Sequence, residues 1–373
     1  MAASSGSMHY VGLDVHQRRS SLCILDGNGK TVKQLEVRGD WSKLLERVAE
    51  VPRPFSVCYE ASCGYGYLYE RLSPMAQHVS VAHPGQLRLI YNSKKKNDRV
   101  DASKLAKLLY VDMVPQVHVP NADVRAWRGL IVYRHRLMDR RVGMKNRIRA
   151  LLRGLGIICP AGKKLWSKKG IKWLKDQPMA ELHALQRDMA AEELQELNQK
   201  IARAQRQLDK IADAHPAVAV LKTIPGVGTR TAEAIVAYVD DVKRFSGVRK
   251  LGSYFGLVPC QDASAGKERL GHITRDGPPV VRKLLCEAAW RGIRSSPALK
   301  SYFERVTHGD PDRRKIALIA TAHHLLRCMG AMLRTGEVWD ESAATRSPRP
   351  PLSPPEDTKR PLQALSSEVK RHT

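Results

Sequence analysis

Four acidic residues in the first third of the sequence occupy positions where carboxylates can do chemistry. Asp14 lies in an apolar run that is typical of a strand, and Glu60 directly follows a second apolar run. Asp98 and Asp101 are three residues apart at the start of a predicted helix, so both project from one helix face. A carboxylate among apolar neighbours costs free energy unless it is paired or binds a metal. The pattern therefore points to a shared site.

These four carboxylates would converge if the strands of Asp14 and Glu60 were neighbours and the helix closed over their ends. An all-oxygen cage of that kind suits Mg²⁺ or Mn²⁺ rather than zinc. Two such ions about 4 Å apart can activate one oxygen and stabilise another during phosphodiester displacement. The alternative for Asp98 and Asp101 is structural, as a helix cap and a solvated first-turn residue. The sequence leaves both interpretations open for that pair.

A second candidate is the glycine-containing turn in the segment 223–232. This segment resembles a helix-hairpin-helix element, because it has an apolar stretch, a Pro-Gly-x-Gly turn and then a helix start made of small residues. Near Gly226 and Gly228, backbone N–H groups can approach a phosphate at a helix N-terminus. The alternative is an ordinary turn between packed helices. The charge of the chain favours contact with a nucleic-acid backbone.

The third candidate is Ser264, which lies in a segment of small residues with a basic flank. Lys267, Arg269, His272 and Arg275 follow it within eleven residues. A serine hydroxyl is a poor nucleophile until its proton is removed and the developing charge is stabilised. Composition alone describes only a flexible loop with basic neighbours, and on that basis a catalytic role is the minority interpretation.

The charge balance of the 373-residue chain indicates a polyanionic partner. Lysine and arginine number 63 against 37 acidic residues, a formal charge of +26. Self-repulsion of that size opposes folding unless a polyanion neutralises it, and nucleic acid is the expected partner. No uninterrupted apolar run of membrane-spanning length and no signal-peptide profile is seen, so we expect a soluble, intracellular chain. The seven cysteines form no CxxC pair, which argues against a zinc ribbon.

The elements that would position the acids form an α/β pattern. Three β-rich runs joined by a strong hairpin signal are followed by alternating helices and strands, an order that suits a mixed sheet with helices on its faces. The predicted strands are 10–15, 20–25, 31–37, 55–59 and 78–82, and the predicted helices are 41–49, 65–76 and 99–110.

Beyond residue 121 the spacing of apolar residues becomes typical of helices. Apolar residues recur at heptad spacing over 122–155 and at 3-4 spacing over 180–214, which predicts a coiled-coil seam within or between chains. We expect these arginine-rich helices to join subunits and to hold RNA or DNA with steep salt dependence. The basic residues assigned to nucleic acid are Lys94, Lys95, Lys96, Arg140, Arg141, Arg147, Arg149, Lys267 and Arg269.

Composition shifts suggest five regions. They are a flexible start at 1–8, an α/β domain at 9–115, a basic helical region at 116–215, a mostly helical domain at 216–341 and a disordered tail at 342–373.

The motifs over residues 10–338 resemble a known family, the DEDD transposases of the insertion-sequence one-ten family, recombinases guided by a bridge RNA. The matching motifs are Gly12-Leu13-Asp14, Tyr59-Glu60-Ala61-Ser62, Asn97-Asp98-Arg99-Val100-Asp101-Ala102, Ile224-Pro225-Gly226-Val227-Gly228, Tyr254-Phe255-Gly256-Leu257-Val258-Pro259, Ser264-Ala265-Gly266 and Arg282-Lys283-Leu284-Leu285-Cys286-Glu287-Ala288-Ala289.

The resemblance implies an RNase H-like (RuvC-like) front domain, a coiled-coil middle and a transposase domain at the back. It maps a Mg²⁺-binding tetrad, in which Mn²⁺ can substitute, onto Asp14, Glu60, Asp98 and Asp101, and it maps the nucleophile onto Ser264. It also implies donor and target DNA, a guide RNA, and a dimer or tetramer whose active site combines two subunits. Such a protein would work in the cytoplasm at the nucleoid.

Three rival functions fit parts of the sequence. A two-metal nuclease or junction resolvase leaves the chain beyond residue 217 unexplained. A sugar-kinase-like or actin-like ATPase would need a second glycine-rich phosphate loop, which the sequence does not show. A non-enzymatic nucleic-acid-binding protein gives the four acids no purpose.

Overall fold

The computed structural model describes residues 7–62, 64–90, 98–160, 162, 164–264 and 267–342. The chain divides into two compact units, residues 1–126 and 127–373. The predicted flexible start and disordered tail lie almost wholly outside the described residues, and so do Lys94, Lys95 and Lys96.

Unit 1 is a mixed α/β fold. Its strands are β1 (His9–Asp14), β2 (Arg19–Leu25), β3 (Thr31–Arg38), β4 (Phe55–Glu60) and β5 (His78–Ala82). Its helices are α1 (Trp41–Ala49), α2 (Tyr65–Leu72), α3 (Pro84–Ile90) and α4 (Asp98–Tyr110).

The five strands form one sheet in the order β3-β2-β1-β4-β5. The first three strands are an antiparallel meander, whereas β4 pairs parallel with both β1 and β5. The mixed sheet expected from the sequence is therefore confirmed. The carboxyl ends of β1 and β4 lie side by side, because Leu13 is in register with Tyr59.

The two faces of this sheet are covered differently. Leu44 and Val48 of α1 and Leu68 and Leu72 of α2 pack with apolar strand residues in one buried cluster. On α4, Ala102 and Ala106 are fully buried beside Cys23, in a smaller cluster. Small residues on this face let α4 lie directly on the strand backbone.

Unit 2 is mostly helical and begins within the long helix α5 (Ala122–Gly154). The remaining helices are α6 (Lys168–Lys175), α7 (Glu181–Asp213), α8 (Pro216–Lys222), α9 (Thr229–Val239), α10 (Lys250–Tyr254), α11 (Pro279–Ser295), α12 (Pro297–Thr307) and α13 (Arg314–Thr335). Two strands, β6 (Pro259–Ser264) and β7 (Lys267–Ile273), form a separate hairpin.

Helices α5 and α7 pack antiparallel within the chain. Arg134 donates to Gln205 at 2.6 Å, and Arg141 donates to Asn198 at 3.5 Å, so the residue numbers on α7 fall as those on α5 rise. The sequence left open whether these helices pair within or between chains, and the contacts show pairing within it.

Helix α6 was not predicted, because the segment 157–178 reads as a glycine- and proline-containing basic linker. Ser167 caps this helix by accepting from the Gly170 N–H at 3.1 Å. Leu165 and Leu174 are fully buried and join a cluster with Leu152 of α5. A side-chain cap and two buried leucines therefore hold this short helix against the α5–α7 pair.

The C-terminal helices share one large core, to which α8, α9, α11 and α13 all contribute. By length and composition, the segment Pro311–Thr335 could cross a membrane. Half of that stretch is buried, and Leu325, Leu326 and Met329 belong to the core. Core helices commonly share this apolar character, so packing accounts for it.

Candidate active-site residues

Asp14 and Glu60 end two neighbouring parallel strands. Each directly follows the register pair Leu13 and Tyr59, so both carboxylates leave the sheet at the same edge. The side chain of Asp14 is mostly shielded, and its Oδ2 lies 3.4 Å from the Nε2 of His16. Glu60 is exposed. Convergence of these acids requires neighbouring strands, and β1 and β4 are neighbours.

Helix α4 packs against β1 and carries Asp101 in its first turn. A Cβ on Gly12 would lie 2.1 Å from the Ala102 carbonyl oxygen, so the helix backbone rests on β1. The rings of Tyr10 and Tyr110 meet at 5.3 Å, which places the end of α4 beside the start of β1. The start of α4, with Asp98 and Asp101, therefore lies toward the end of β1 that carries Asp14.

The acids that can be described have basic neighbours. Asp101 accepts from the Lys104 ammonium at 3.1 Å, and His16 accompanies Asp14. Asp98 begins α4, but its side chain lies outside the described residues. Among the described side chains, no three His, Cys, Asp or Glu residues lie close enough to hold a metal ion. The donor set is nevertheless all oxygen, which fits Mg²⁺ chemically.

The two residues that precede Glu60 on β4 are buried. Burial raises the pKa of the Cys58 thiol to about 12 and also raises the pKa of the Tyr59 phenol. Both groups therefore stay neutral near pH 7. The Tyr59 hydroxyl donates to the Tyr65 carbonyl at 2.6 Å, which fixes the chain after Glu60 against the start of α2.

The two glycines of the 223–228 turn have different surroundings. Gly226 has a φ of +89°, and a Cβ there would lie 2.4 Å from the Gly292 nitrogen, so it packs against α11. Gly228 is exposed at the N-cap of α9, and a Cβ there would meet nothing within 4 Å. Helix α8 precedes this turn and helix α9 follows it. Packing explains Gly226, whereas Gly228 leaves the backbone open to a phosphate.

Ser264 lies at the end of a strand rather than in a loop. It is the last residue of β6 and pairs with Lys267 of β7, while Arg269 pairs with Asp262. The side chains of Ser264, Lys267 and Arg269 lie outside the described residues. The expectation of a flexible loop is wrong for the backbone up to Ser264. Few apolar residues occur in either strand, so the period-two pattern was not visible.

The four arginines assigned to nucleic acid on α5 have neighbours within the protein. Arg140 lies 3.5 Å from Glu193, and Arg149 donates to the Gly162 carbonyl at 3.0 Å. Arg147 lines a cavity of about 380 Å³ together with three glutamates of α7. Arg141 donates to Asn198. Acidic and amide side chains of α7 therefore pair with some of the arginines on this face of α5.

The exposed basic face of α6 is absent from the sequence-based assignment of site residues. Lys168, Lys169, Lys172 and Lys175 are all exposed. Beside them, the Trp166 ring carries Lys145 at 5.1 Å and Arg149 at 5.2 Å. Exposed lysines on one short helix and an aromatic ring nearby in sequence are features that nucleic-acid-binding surfaces use. These residues were missed because the sequence did not predict α6, and a linker without a helix would not align the lysines.

A buried ionic cluster in unit 2 was also missed. Glu233 of α9 is 1% exposed, and its Oε1 lies 2.9 Å from Arg230, which also pairs with Asp209 of α7. Burial raises the pKa of Glu233 to about 8 against the opposing effect of Arg230. The i, i+3 spacing of Arg230 and Glu233 was the available signal. This cluster ties α9, and so the glycine turn, to α7.

Two family models match the chain. One, described as a DEDD-type "Transposase", matches residues 11–157, and the other, "Transposase IS116/IS110/IS902 family", matches residues 218–304. Together they define a transposase, an enzyme that transfers DNA strands. The chain belongs to the IS110 family of insertion-sequence transposases, which confirms the resemblance seen in its motifs. DEDD transposases typically use a divalent metal.

Several curated transposases are similar over most of their length. A putative transposase of Sinorhizobium fredii is 27% identical over 75% of this chain and 71% of its own. A probable family 20 transposase of Pseudomonas aeruginosa is 27% identical over 75% and 84%. The transposase for insertion sequence element IS1111A of Coxiella burnetii is 27% identical over 75% and 76%.

Proposed function

We propose that this transposase cuts and rejoins DNA through a phosphoserine ester, with Ser264 as nucleophile and a Mg²⁺-binding tetrad of Asp14, Glu60, Asp98 and Asp101. The observation that carries the proposal is that the ends of β1 and β4 lie side by side while the Ala102 backbone of α4 lies against Gly12 of β1. The matched family segment 218–304 includes Ser264. A nuclease without a serine step would need only the first of these features.

We further propose that unit 1 has an RNase H-like (RuvC-like) fold. Its order β3-β2-β1-β4-β5, with an antiparallel meander and parallel later strands, supports this assignment. Acids at the ends of the first and fourth strands and on a helix against the first strand support a two-metal site. In unit 2, the α5–α7 pair would be the coiled coil and α8–α9 the helix-hairpin-helix element.

The proposed chemistry conserves the phosphodiester bond. The Ser264 hydroxyl loses its proton and its oxygen bonds to phosphorus, while one bridging P–O bond breaks and that oxygen leaves as a protonated hydroxyl. A hydroxyl of the new partner strand then attacks the ester and releases Ser264, which recovers a proton. When bound, Mg²⁺ supplies positive charge that makes the hydroxyl more acidic and stabilises the crowded phosphate. Lys267 and Arg269 would hold non-bridging oxygens.

The family resemblance also supports partners that the fold alone does not. We propose donor and target DNA, a guide RNA, and a dimer or tetramer in which acids of one subunit meet the serine of another. Lys94 to Lys96, the α5 arginines and Gly228 would contact nucleic-acid backbone, as would the exposed lysines of α6. The expected location is the cytoplasm, at the nucleoid.

The acids are tested by charge-neutral substitution. Asp14→Asn and Asp101→Asn should abolish Mg²⁺-dependent cleavage of supercoiled DNA in the presence of cognate RNA, while leaving DNA affinity nearly intact. Asp112→Asn, an exposed residue just beyond α4, is the matched control and should cleave normally. Wild-type cleavage by either site variant would refute the tetrad.

The nucleophile is tested by trapping the ester. With labelled DNA, denaturing electrophoresis of wild type should show a protein–DNA adduct, and peptide mapping should place it on the peptide with Ser264. Ser264→Ala should form no adduct, whereas Ser253→Ala, an exposed serine of α10, should form it normally. Cleavage without any adduct would favour the two-metal nuclease instead.

A further inference from the structure

One guanidinium in unit 2 is surrounded by backbone carbonyls. The Nη1 atom of Arg282, in the first turn of α11, donates to the carbonyl of Phe255 at 3.3 Å and to that of Gly277 at 3.1 Å. It also donates to the carbonyl of Asp276. A charged donor shared among carbonyls holds them more firmly than a neutral donor does.

These carbonyls lie on both sides of the β6–β7 hairpin. Phe255 precedes β6 by four residues, and Asp276 and Gly277 follow β7 within four. Arg282 therefore joins the incoming and the outgoing chain of the hairpin to a rigid helix.

Two glycines bring these chains into direct backbone contact at the same place. Gly256 has a φ of +63°, and a Cβ there would lie 2.3 Å from the Asp276 nitrogen. Gly277 has a φ of +67°, and a Cβ there would lie 2.2 Å from the Tyr254 carbonyl oxygen. The base of the hairpin is thus compact and leaves no room for another arrangement of the two chains.

The hairpin depends on this base for its orientation. Among the strands that the structure describes, its two strands pair with each other alone, in a sheet of two. Pro259, Cys260 and Gln261 on β6 and Gly271 and His272 on β7 are all exposed. A two-stranded hairpin is marginally stable alone, so its direction is set where it joins the body of the protein.

We propose that Arg282 is a positioning residue that aims the β6–β7 hairpin and, with it, Ser264 at the scissile phosphate; the catalytic part of this inference rests on the proposed function. The neighbouring Lys283 has a different role, since its ammonium lies 3.4 Å from Asp139 of α5. Arg282 and Lys283 are adjacent cations with different partners, so neither can replace the other.

The test compares Arg282→Lys with Arg291→Lys in the full-length chain. Arg291 is exposed on the same helix, so it controls for the loss of a guanidinium. Arg282→Lys keeps the charge but cannot bridge the carbonyls in the same geometry. Single-turnover adduct formation should fall about 10- to 100-fold, because an error of about 1 Å in a reacting group costs that much. DNA affinity should change less than about twofold, since these carbonyl contacts are internal.

Amide hydrogen exchange provides the readout that does not depend on activity. In Arg282→Lys, exchange should quicken across 259–264 and 267–273 while Leu285 and Ala289 of α11 stay protected. Exchange that matches Arg291→Lys, or that rises equally in α11, would overturn the proposal, because the first shows no anchoring and the second shows global destabilisation. Failure of the proposed function is read separately, from an adduct that persists in Ser264→Ala.

Discussion

The contact of α4 with β1 makes Gly12 a sensitive position of unit 1. A Cβ there would lie 2.1 Å from the Ala102 carbonyl oxygen and 2.4 Å from the Ala106 nitrogen, and both are backbone atoms of a helix. No side chain can rotate away to relieve the clash. Gly12→Ala therefore requires the whole of α4 to move off the strand.

The size of this movement follows from ordinary contact distances. Heavy atoms in contact are about 3.5 Å apart, so α4 must retreat by about 1.4 Å. Overpacking of this kind costs about 1–3 kcal/mol. For a unit of this size, the melting temperature should fall on the order of 5–10 °C.

The same movement carries Asp101 away from Asp14. A metal site tolerates errors of about 0.5 Å in its ligands, which is well below the expected retreat of the helix. Strand cleavage by Gly12→Ala should therefore fall at least about 100-fold at a temperature where the variant is fully folded. DNA affinity should stay near wild type, because neither residue is assigned to backbone contact.

The assay measures Mg²⁺-dependent cleavage and thermal unfolding on the same preparations. Gly143→Ala, in the middle of α5, is the control, because a Cβ there would meet nothing within 4 Å. It should cleave normally and gain up to about 1 kcal/mol of stability from its helix propensity. If Gly12→Ala melts and cleaves like wild type, the backbone contact does not set the position of the acids, and the reasoning fails.

Three further outcomes follow from side chains in unit 2. Burial lowers the pKa of His324 to about 4, so its contribution to stability should be full above about pH 6.5 and fall by up to about 3 kcal/mol as the pH drops toward 4. Denaturant titration should show a smaller loss over this range in His324→Phe than in wild type, and part of the loss should remain because burial also lowers the pKa of His323. Arg140→Glu, which faces Glu193 at the surface, should cost less than about 1 kcal/mol in thermal unfolding. Combined Lys168→Gln and Lys169→Gln should lower the slope of log affinity for duplex DNA against log salt by about 2, whereas an unchanged slope would exclude α6 from the interface.

The order of the strands in unit 1, and of its helices other than α3, could be predicted because local signals were strong. A hairpin turn at 26–29 and alternating apolar runs defined the meander, and the strand ends placed Asp14 and Glu60. What local patterns do not contain is the distance between elements. The contact of Gly12 with Ala102 depends on two small residues ninety positions apart. Nothing in the sequence around either residue indicates that it will lie against the other.

Unit 2 was less predictable for two physical reasons. The β6–β7 strands pair through their backbones, and their sequences contain few apolar residues, so they carry little strand signal. The arginines of α5 looked free for nucleic acid because the acids that face them lie on α7, and only the antiparallel pairing brings Arg140 to Glu193. The net charge correctly predicted a polyanionic class of partner. It could not show which cations pair within the protein and which face solvent.

Helix α11 connects two features of unit 2 that were separate motifs in the sequence. At its start, Arg282 holds the base of the hairpin, and ten residues later the backbone of Gly292 receives Gly226 of the glycine turn. At about 1.5 Å per residue, the two contacts are about 15 Å apart along one rigid rod. A Cβ on Gly292 would lie 3.1 Å from the Pro225 carbonyl oxygen, so the turn packs closely on the helix backbone here. The direction of the hairpin and the position of the turn are therefore fixed relative to each other by a helix that need not touch nucleic acid itself.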